Sequence, residues 1–431
     1  MPLVTCNIFL SMRLLLLTPA FPPFPGGGER YVRSLALALA QHGHEVTVLT
    51  SAAQSERDLW RGCGEGVTEA QDEGLRVIRC SIRGLPGGLP TLLAWRKAMV
   101  LLSLLPGDQT AVLRHLARAI PPMQKLPSLL EQMVGKVDLV HGFNISWEYP
   151  LLAGWRWAKQ QRLPFAVTPF AHLGSATNDR VALNSTMDHQ RRLLGEADVV
   201  FTLTVVEQEG LQAHGIEMKR VTTVGSGLDP LPQPADFALL QQKHGLAPPF
   251  VLFVGRNSYE KGAIHAAQAV LSLRQQGSPV NLVLVGQMAV EFERFYGRLS
   301  PTEQTIIRPL GVVSEAEKHA LLRHTEMLLL PSRTDSFGIV LLEAWAHGKP
   351  VIGARAGGIP GVIDHQQNGL LVEFGDVAGL ATAVQTLLLD ETKRRVLGEN
   401  GRYKTQTQYS WQQVGRQVAA QYEQVVAKVP G

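Results

Sequence analysis

Two carboxylates flank the start of one apolar helix: Asp335 precedes it, and Glu343 follows with seven residues between them. The free backbone N–H groups near Gly338, Ile339 and Val340, together with the positive end of the helix dipole, would favour a phosphate or diphosphate there. Carboxylates repel phosphate but accept hydrogen bonds from hydroxyls, so the arrangement suits a ligand with both phosphates and sugar hydroxyls. The simpler alternative makes Asp335 a helix N-cap and Glu343 a solvent-exposed helix residue.

This helix belongs to a unit of strand, loop, helix and strand. The apolar run 327–330 is typical of a strand buried on both faces. Apolar side chains across residues 337–346 predict a mostly buried helix, which residues 347–350 stop with Gly and Pro. Ligands of open parallel sheets bind beyond the carboxyl ends of the strands, so the loop 331–336 is expected at that edge.

Two cations occupy the same kind of edge earlier in the second half of the chain. Arg256 directly follows the apolar run 249–255, and Lys261 lies at the start of the next predicted helix, 263–275. A guanidinium can fork onto phosphate oxygens and an ammonium adds a compact charge, so the pair predicts a diphosphate clamp. Taken singly, such residues are more often solvent-exposed charges.

A glycine loop opens the first predicted helix. The apolar strand 12–18 leads through three glycines to a helix at 31–42 and a strand at 45–50, which is a βαβ unit. Gly27 and Gly28 can present backbone N–H groups to an anion or to a closely approaching sugar. The alternative is a flexible turn.

Histidines accompany two other predicted strands. His172 follows the strand 164–168, which puts it on the ligand edge of the sheet. His141, at the end of the strand 137–141, is the second choice, and Asn144 with it. A lone histidine is more often structural.

A longer pattern surrounds the carboxylates. It reads Pro331-Ser332, Asp335-Ser336-Phe337-Gly338, Glu343-Ala344, Gly348-Lys349-Pro350-Val351-Ile352, Gly357-Gly358-Ile359-Pro360 and Asn368-Gly369-Leu370-Leu371-Val372. It resembles the donor-site signature of the retaining GT-B glycosyltransferases of family 4, often called group 1. That family carries two glutamates at this spacing, the first facing the transferred sugar and the second binding the ribose. This chain keeps the second and has Asp335 in the first place.

Other segments resemble the same family, namely the phosphate motif around Arg256 and Lys261, the cleft histidine at His172 and the base-contacting turn 311–314. The resemblance implies catalytic roles for His172, Asp335, Arg256 and Lys261, and no metal site. The substrate-binding residues that it implies are Gly27, Gly28, Arg256, Lys261, Val313, Ser336, Phe337, Gly338, Ile339, Val340 and Glu343.

The expected fold class is α/β with GT-B architecture, in which two Rossmann-like domains face each other across a cleft and a C-terminal helix crosses back to the first domain. A chain of 431 residues is too long for one ordinary core. We expect an acceptor-binding domain at 12–230, a donor-binding domain at 231–404 and the crossing helix at 405–431, with a proline-rich linker at 230–249.

Composition excludes several classes of protein. The net charge is only +4 and the basic residues are scattered, which argues against a nucleic acid partner. Three cysteines without metal spacing indicate a reducing compartment, and no apolar run reaches the roughly 18–20 residues of a membrane helix, so we expect a cytoplasmic protein. Residues 1–11 are hypothesised to be an upstream extension, with Met12 as the functional start.

Two apolar or amphipathic helices are predicted at 92–105 and 111–120, with basic side chains nearby. Such a surface could rest on the inner face of the membrane or receive a lipid-linked acceptor. The alternative is a helical cover packed over the first sheet.

The expected activity is transfer of a sugar from a nucleoside diphosphate sugar to an acceptor hydroxyl with retention, in polysaccharide, glycolipid or small glycoside synthesis. The acceptor is a sugar, a lipid-linked molecule or a small molecule, and no cofactor is expected besides the donor. An inactive nucleotide-sugar-binding protein of the same fold is one alternative, kept open by Asp335. A nicotinamide-dependent dehydrogenase is the other, although no Gly-x-Gly-x-x-Gly opens a helix with an acid about 20 residues later.

Overall fold

The computed structural model describes residues 11–175 and 179–428, which fold into two domains, each built on one sheet. The hypothesis about residues 1–11 concerns a segment that, apart from Ser11, lies outside the described residues. Met12 is buried and directly precedes the first strand. No helix within the described part of the chain is long and apolar enough to span a bilayer.

The strands of the first domain are β1 (Arg13–Leu17), β2 (Glu45–Ser51), β3 (Cys63–Asp72), β4 (Leu75–Ile82), β5 (Leu139–Phe143), β6 (Phe165–Thr168), β7 (Val199–Thr202) and β8 (Val221–Thr223). They pair in the order β3-β4-β2-β1-β5-β6-β7-β8, and β3 is antiparallel to its neighbour. The sequence did not predict β3, because this mostly exposed edge strand has no apolar alternation and is defined by its pairing with β4.

The helices of the first domain are α1 (Gly27–Gln41), α2 (Asp58–Arg61), α3 (Leu89–Ser103), α4 (Thr110–Leu116), α5 (Leu126–Glu131), α6 (Glu148–Gln160), α7 (Asp188–Glu196) and α8 (Val205–Ala213), with 3₁₀ turns at Ala117–Ala119 and Ala182–Asn184. Helix α1 starts before the predicted position, so Gly27 and Gly28 form its first turn. Helices α3 and α4 bury Met99 and Leu113, whereas Leu93 and Leu104 are each 60% exposed.

The second domain contains β9 (Phe250–Val254), β10 (Asn281–Val285), β11 (Ile307–Gly311), β12 (Leu328–Leu330), β13 (Val351–Ala354) and β14 (Gly369–Val372), all parallel, in the order β11-β10-β9-β12-β13-β14. Its helices are α9 (Phe237–His244), α10 (Ala263–Gln275), α11 (Val290–Tyr296), α12 (Pro301–Ile306), α13 (Glu315–His324), α14 (Ile339–Ala346), α15 (Val377–Leu389) and α16 (Glu391–Gln408), with a 3₁₀ turn at Ile359–Gly361. Strand β12 is buried throughout and α14 packs around fully buried Trp345, as the apolar runs predict.

The last helix, α17 (Trp411–Val426), returns to the first domain and packs on α1 and β7. The Tyr422 hydroxyl lies 2.6 Å from Nδ1 of His141, and Nε2 of that ring lies 2.8 Å from Oγ1 of Thr168. Burial lowers the pKa of His141 to about 3. The prediction of His141 as a second functional histidine was therefore wrong, because one ring nitrogen bonds to Tyr422 of α17 and the other to Thr168 of β6. Asn144 closes a turn by accepting from the Ser146 N–H.

Candidate functional site

Two helix N-termini, one from each domain, meet between the sheets. The position of a Cβ on Gly27, in the first turn of α1, would lie 3.8 Å from Cδ1 of Ile339, the first residue of α14. Gly338 caps α14 with φ +84°, and a Cβ there would meet Leu330 at 2.9 Å, so this position requires glycine. The unpaired N–H groups of both helix starts make this part of the cleft favourable for an anion.

Asp335 is not the helix cap that the simpler alternative supposed, because the cap of α14 is Gly338. Its Oδ1 accepts a hydrogen bond from Lys261 Nζ at 2.8 Å, and its Oδ2 is buried without a partner among the described residues. Burial alone would raise the pKa of Asp335, but the ammonium of Lys261, with smaller contributions from Ser332 and His172, holds the pKa below the ordinary value. The carboxylate is therefore charged, with one oxygen left for a ligand.

Glu343 is buried, at 4% exposure, and the solvent-exposed alternative for it was wrong. Its Oε1 accepts from Lys318 Nζ at 2.8 Å and from Arg30 Nη2 at 3.2 Å, and the arginine comes from the opposite domain. Its Oε2 is buried and has no hydrogen-bond partner in the described part of the chain. These two cations fix the orientation of the carboxylate, which leaves one oxygen to accept from a hydroxyl.

His172 lies beyond the carboxyl end of β6, as predicted, and faces the second domain. Its pKa is lowered to about 4, first by burial and then by Lys261, against the opposing effects of Asp335 and of a hydrogen bond to the Thr334 backbone. Nδ1 of the ring is buried and unpartnered within the described residues. The structure thus brings His172, Lys261 and Asp335 together, with the imidazole neutral at pH 7.

Arg256 and Lys261 make different contacts. The loop after β9 lies close to the loop after β12, since a Cβ on Gly262 would meet the Pro331 carbonyl oxygen at 2.1 Å. This close approach directs Lys261 toward Asp335. Arg256 is half-exposed and pairs instead with Glu56 of the first domain, with Nη1 to Oε2 at 2.9 Å. Both cations therefore face the gap between the domains.

The remaining predicted residues contribute mainly backbone or packing. The Phe337 ring is buried edge-on against Tyr409, with centroids 5.5 Å apart, so only its backbone can face a ligand. A Cβ on Gly28 would lie 3.5 Å from the Phe170 ring, and Gly358 packs against the Ser336 carbonyl group. Three of the predicted residues, Val313, Ile339 and Val340, have half-buried side chains that pack on the core.

Sequence reasoning missed Arg30, Glu56 and Lys318. Arg30 lies two residues after Gly28, the last glycine of the loop, a signal that could have indicated a role at the helix start. Lys318 and Glu56 gave no signal, because a basic residue on a helix and an acid in a loop usually face solvent. Their roles depend on contacts between distant parts of the chain.

Glu315, His319 and Glu343 place possible metal-ligating atoms within 4.8 Å of one another. Lys318 bonds to both carboxylates at 2.8 Å, and Arg30 pairs with both as well. These two cations already balance the charge that would attract a metal ion, which disfavours a divalent cation at this cluster.

Comparisons with known proteins cover both domains. The family model for glycosyl transferases group 1 matches residues 236–404, and the model for the glycosyl transferase 4-like domain matches residues 26–227. A glycogen synthase of Mycobacterium tuberculosis is 27% identical over 424 residues, which cover 95% of this chain and 94% of that protein.

Solved structures share the architecture. Sucrose-phosphate synthase from Thermosynechococcus elongatus aligns with a TM-score of 0.72 at 22% identity, covering 96% of this chain and 99% of that one. Anabaena Alr3699/HepE in complex with UDP-glucose aligns with a TM-score of 0.67 at 19% identity, covering 96% of this chain and 100% of that one. These neighbours confirm the GT-B fold that the sequence resemblance implied.

The family models, the relative and the fold agree with one another and with the cleft. They exclude the nicotinamide-dependent dehydrogenase alternative, since both domains match glycosyltransferase models. The chain is a glycosyltransferase and belongs to the group 1, family 4-like glycosyltransferases.

Proposed function

We propose that this glycosyltransferase moves a sugar from a nucleoside diphosphate sugar to an acceptor hydroxyl with retention of anomeric configuration, and that it needs no metal ion or other cofactor. The UDP-glucose complex of a protein with the same fold supports the donor class. The acceptor is a sugar, a lipid-linked molecule or a small molecule, used in polysaccharide, glycolipid or small glycoside synthesis.

The observation that carries the proposal is a set of buried, unpartnered polar atoms around one helix start. Within the described residues these atoms are Oδ2 of Asp335, Oε2 of Glu343 and Nδ1 of His172. A buried polar atom left without a partner costs about 1–3 kcal/mol, so three in one cleft indicate a hydroxyl-bearing ligand. Glu343 would hold the ribose and Asp335 the transferred sugar.

The reaction breaks the bond from the anomeric carbon to the diphosphate and forms the bond to the acceptor oxygen on the same face of the ring. The hydroxyl proton passes to the departing diphosphate oxygen. Arg256, Lys261 and the N-terminus of α14 would stabilise the negative charge that develops there, and this supports a reaction without a metal. No residue stands out as a covalent nucleophile. Neutral His172 would hydrogen-bond the reacting sugar without adding charge.

A contact with the inner face of the membrane from the cytoplasm is a further part of the proposal. Leu93, Leu101 and Leu104 on and just after α3 are each more than half exposed, and Lys97 on the same helix is exposed too. Apolar side chains beside a cation suit an anionic lipid surface, which could deliver a lipid-linked acceptor.

The second candidate is a nucleotide-sugar-binding protein without transferase activity. Asp335 favours it, because a side chain one methylene shorter than the family glutamate is already held by Lys261. The two candidates differ in turnover alone.

The test is a panel of nucleoside diphosphate sugars added to the purified chain, with release of nucleoside diphosphate and thermal stabilisation measured together. Release with one donor, lost in Lys261→Ala and unaffected by EDTA, is the expected result. An α-linked product from an α-linked donor, read by proton NMR, would establish retention. Stabilisation without release would support the binding protein, and activity restored only by a divalent ion would overturn the metal-free mechanism.

A further inference from the structure

A second cavity lies on the first domain, apart from the cleft. It has a volume of 270 Å³ and is enclosed by α4, the 3₁₀ turn that follows it, α5 and α6. Its walls include Arg114, Arg118 and Arg156 together with the aromatic rings of Trp155 and Trp157. Its lining residues include none of those assigned above to the nucleotide sugar, so it is a separate site.

The buried donors of this cavity lack acceptors. Nε and Nη2 of Arg114 and Nε1 of Trp157 are buried without a hydrogen-bond partner among the described residues. The Arg114 guanidinium lies over the Trp155 ring, 4.2 Å from its centroid, which fixes its orientation. Glu196, the carboxylate paired with it, is 3.9 Å away and already accepts from Arg192 at 2.6 Å. Arg114 is thus held in place with free N–H groups.

The cavity has an excess of positive charge. Arg118 and Arg156 are exposed and form no ion pair within the described part of the chain, while the acid among the lining residues is Glu131. Burial lowers the pKa of Arg114, and repulsion from Arg192 and Arg156 lowers it further against the attraction of Glu196. An anion bound among the guanidinium groups would relieve this repulsion.

We infer that this cavity binds a phosphoryl group carried by a small molecule or a lipid. Guanidinium groups match phosphate oxygens in bidentate pairs, and the indole N–H of Trp157 adds a further donor. The aromatic walls supply an apolar surface for the carrier. If the cluster served packing alone, its buried donors would be paired with acceptors of the protein, as such groups usually are.

The site is tested by calorimetric titration of inorganic phosphate and of glycerol 3-phosphate into the Lys261→Ala variant, which lacks one cation of the catalytic cleft. Binding is expected to persist there and to weaken about tenfold or more when Arg118→Gln and Arg156→Gln are added. Both arginines are exposed, so the fold should survive, which urea unfolding checks. Exposed Arg298 and Arg416, changed to Gln together, provide a control with the same loss of charge.

The proposal is overturned if neither phosphate compound nor vesicles of phosphatidylglycerol bind, or if the control pair weakens binding as much as the pocket pair. The source of the phosphoryl group is tested by sedimentation with vesicles of phosphatidylglycerol and of phosphatidylcholine. Binding to phosphatidylglycerol that depends on Arg118 and Arg156 supports a lipid headgroup, whereas binding of glycerol 3-phosphate alone supports a soluble ligand. Sugar transfer by the Arg118→Gln/Arg156→Gln chain, measured separately, distinguishes failure of this site from failure of the cleft.

Discussion

Lys261 Nζ lies 2.8 Å from Oδ1 of Asp335, so the cation expected at the diphosphate and the carboxylate expected at the transferred sugar form one ion pair. Both side chains are largely buried, which makes the pair stronger than a surface pair and makes each partner costly to remove alone. The leaving group and the sugar are therefore bound by residues that depend on each other.

This dependence predicts that substitutions of the two residues are not additive. Lys261→Met and Asp335→Asn should each lower kcat/KM by about 10- to 100-fold, because each removes one contact to the donor and leaves its partner unpaired. The double variant should lose less than the product of the two factors, by about 1–2 kcal/mol of coupling. The half-exposed pair Arg76 and Glu69, 2.7 Å apart, is the control and should show almost no coupling. Fully additive losses would contradict the coupling.

We predict that substitution of Glu343 affects both the free energy of unfolding and the recognition of the ribose. Glu343→Gln removes the charge that balances buried Lys318 and should lower the free energy of unfolding by about 3 kcal/mol in urea titrations. It should also reduce discrimination between the donor and its 2′-deoxyribose analogue, since the carboxylate oxygen is the proposed acceptor for the ribose hydroxyls. Glu315→Gln is the control, because its partly exposed carboxylate also pairs with Lys318 and Arg30 but is not assigned to the ribose. Unchanged discrimination in Glu343→Gln would remove Glu343 from the ribose site.

Much of the fold was predictable because most of its strands are short and buried and are bounded by Gly or Pro. Apolar runs such as Leu328–Leu330 have few alternatives to a strand buried on both faces. Strand β3 escaped prediction because an exposed edge strand has no apolar pattern, and its hydrogen bonds come from β4.

The candidate site was predictable in its motifs but not in its pairings. The resemblance selected Asp335, Lys261 and His172 one by one, and the structure shows that they are neighbours. The contacts of Arg30 with Glu343 and of Glu56 with Arg256 join residues about 300 and 200 positions apart in the chain. Such contacts depend on how the two domains face each other, which no local pattern encodes.

Glu56 is predicted to compete with the donor for Arg256. The two side chains are about half exposed and their atoms are 2.9 Å apart, so the pair itself contributes little to stability. Glu56→Gln should therefore leave the unfolding free energy unchanged. It should lower the donor KM by up to about fivefold, because Arg256 would no longer have to break its ion pair with Glu56 before binding a donor phosphate. Glu65→Gln, an exposed acid on the neighbouring strand β3, is the matched control. An increased KM in Glu56→Gln would show that Glu56 assists donor binding instead.

The lowered pKa of His172 predicts that the free energy of unfolding falls as the pH falls. Its pKa in the folded chain is about 4, below the 6.5 of an unfolded histidine, because burial and Lys261 disfavour the imidazolium. The unfolded chain therefore takes up a proton near pH 6.5 while the folded chain resists, so the stabilisation is complete above pH 6.5 and is lost as the pH falls toward 4. Between pH 6.5 and 4.5 this residue should account for about 2 kcal/mol of lost unfolding free energy. Urea titrations of the wild type and of His172→Gln at several pH values measure it, with the steeper decline expected in the wild type. Equal slopes would mean that His172 is not held neutral, and with that the proposed uncharged contact to the sugar would fail.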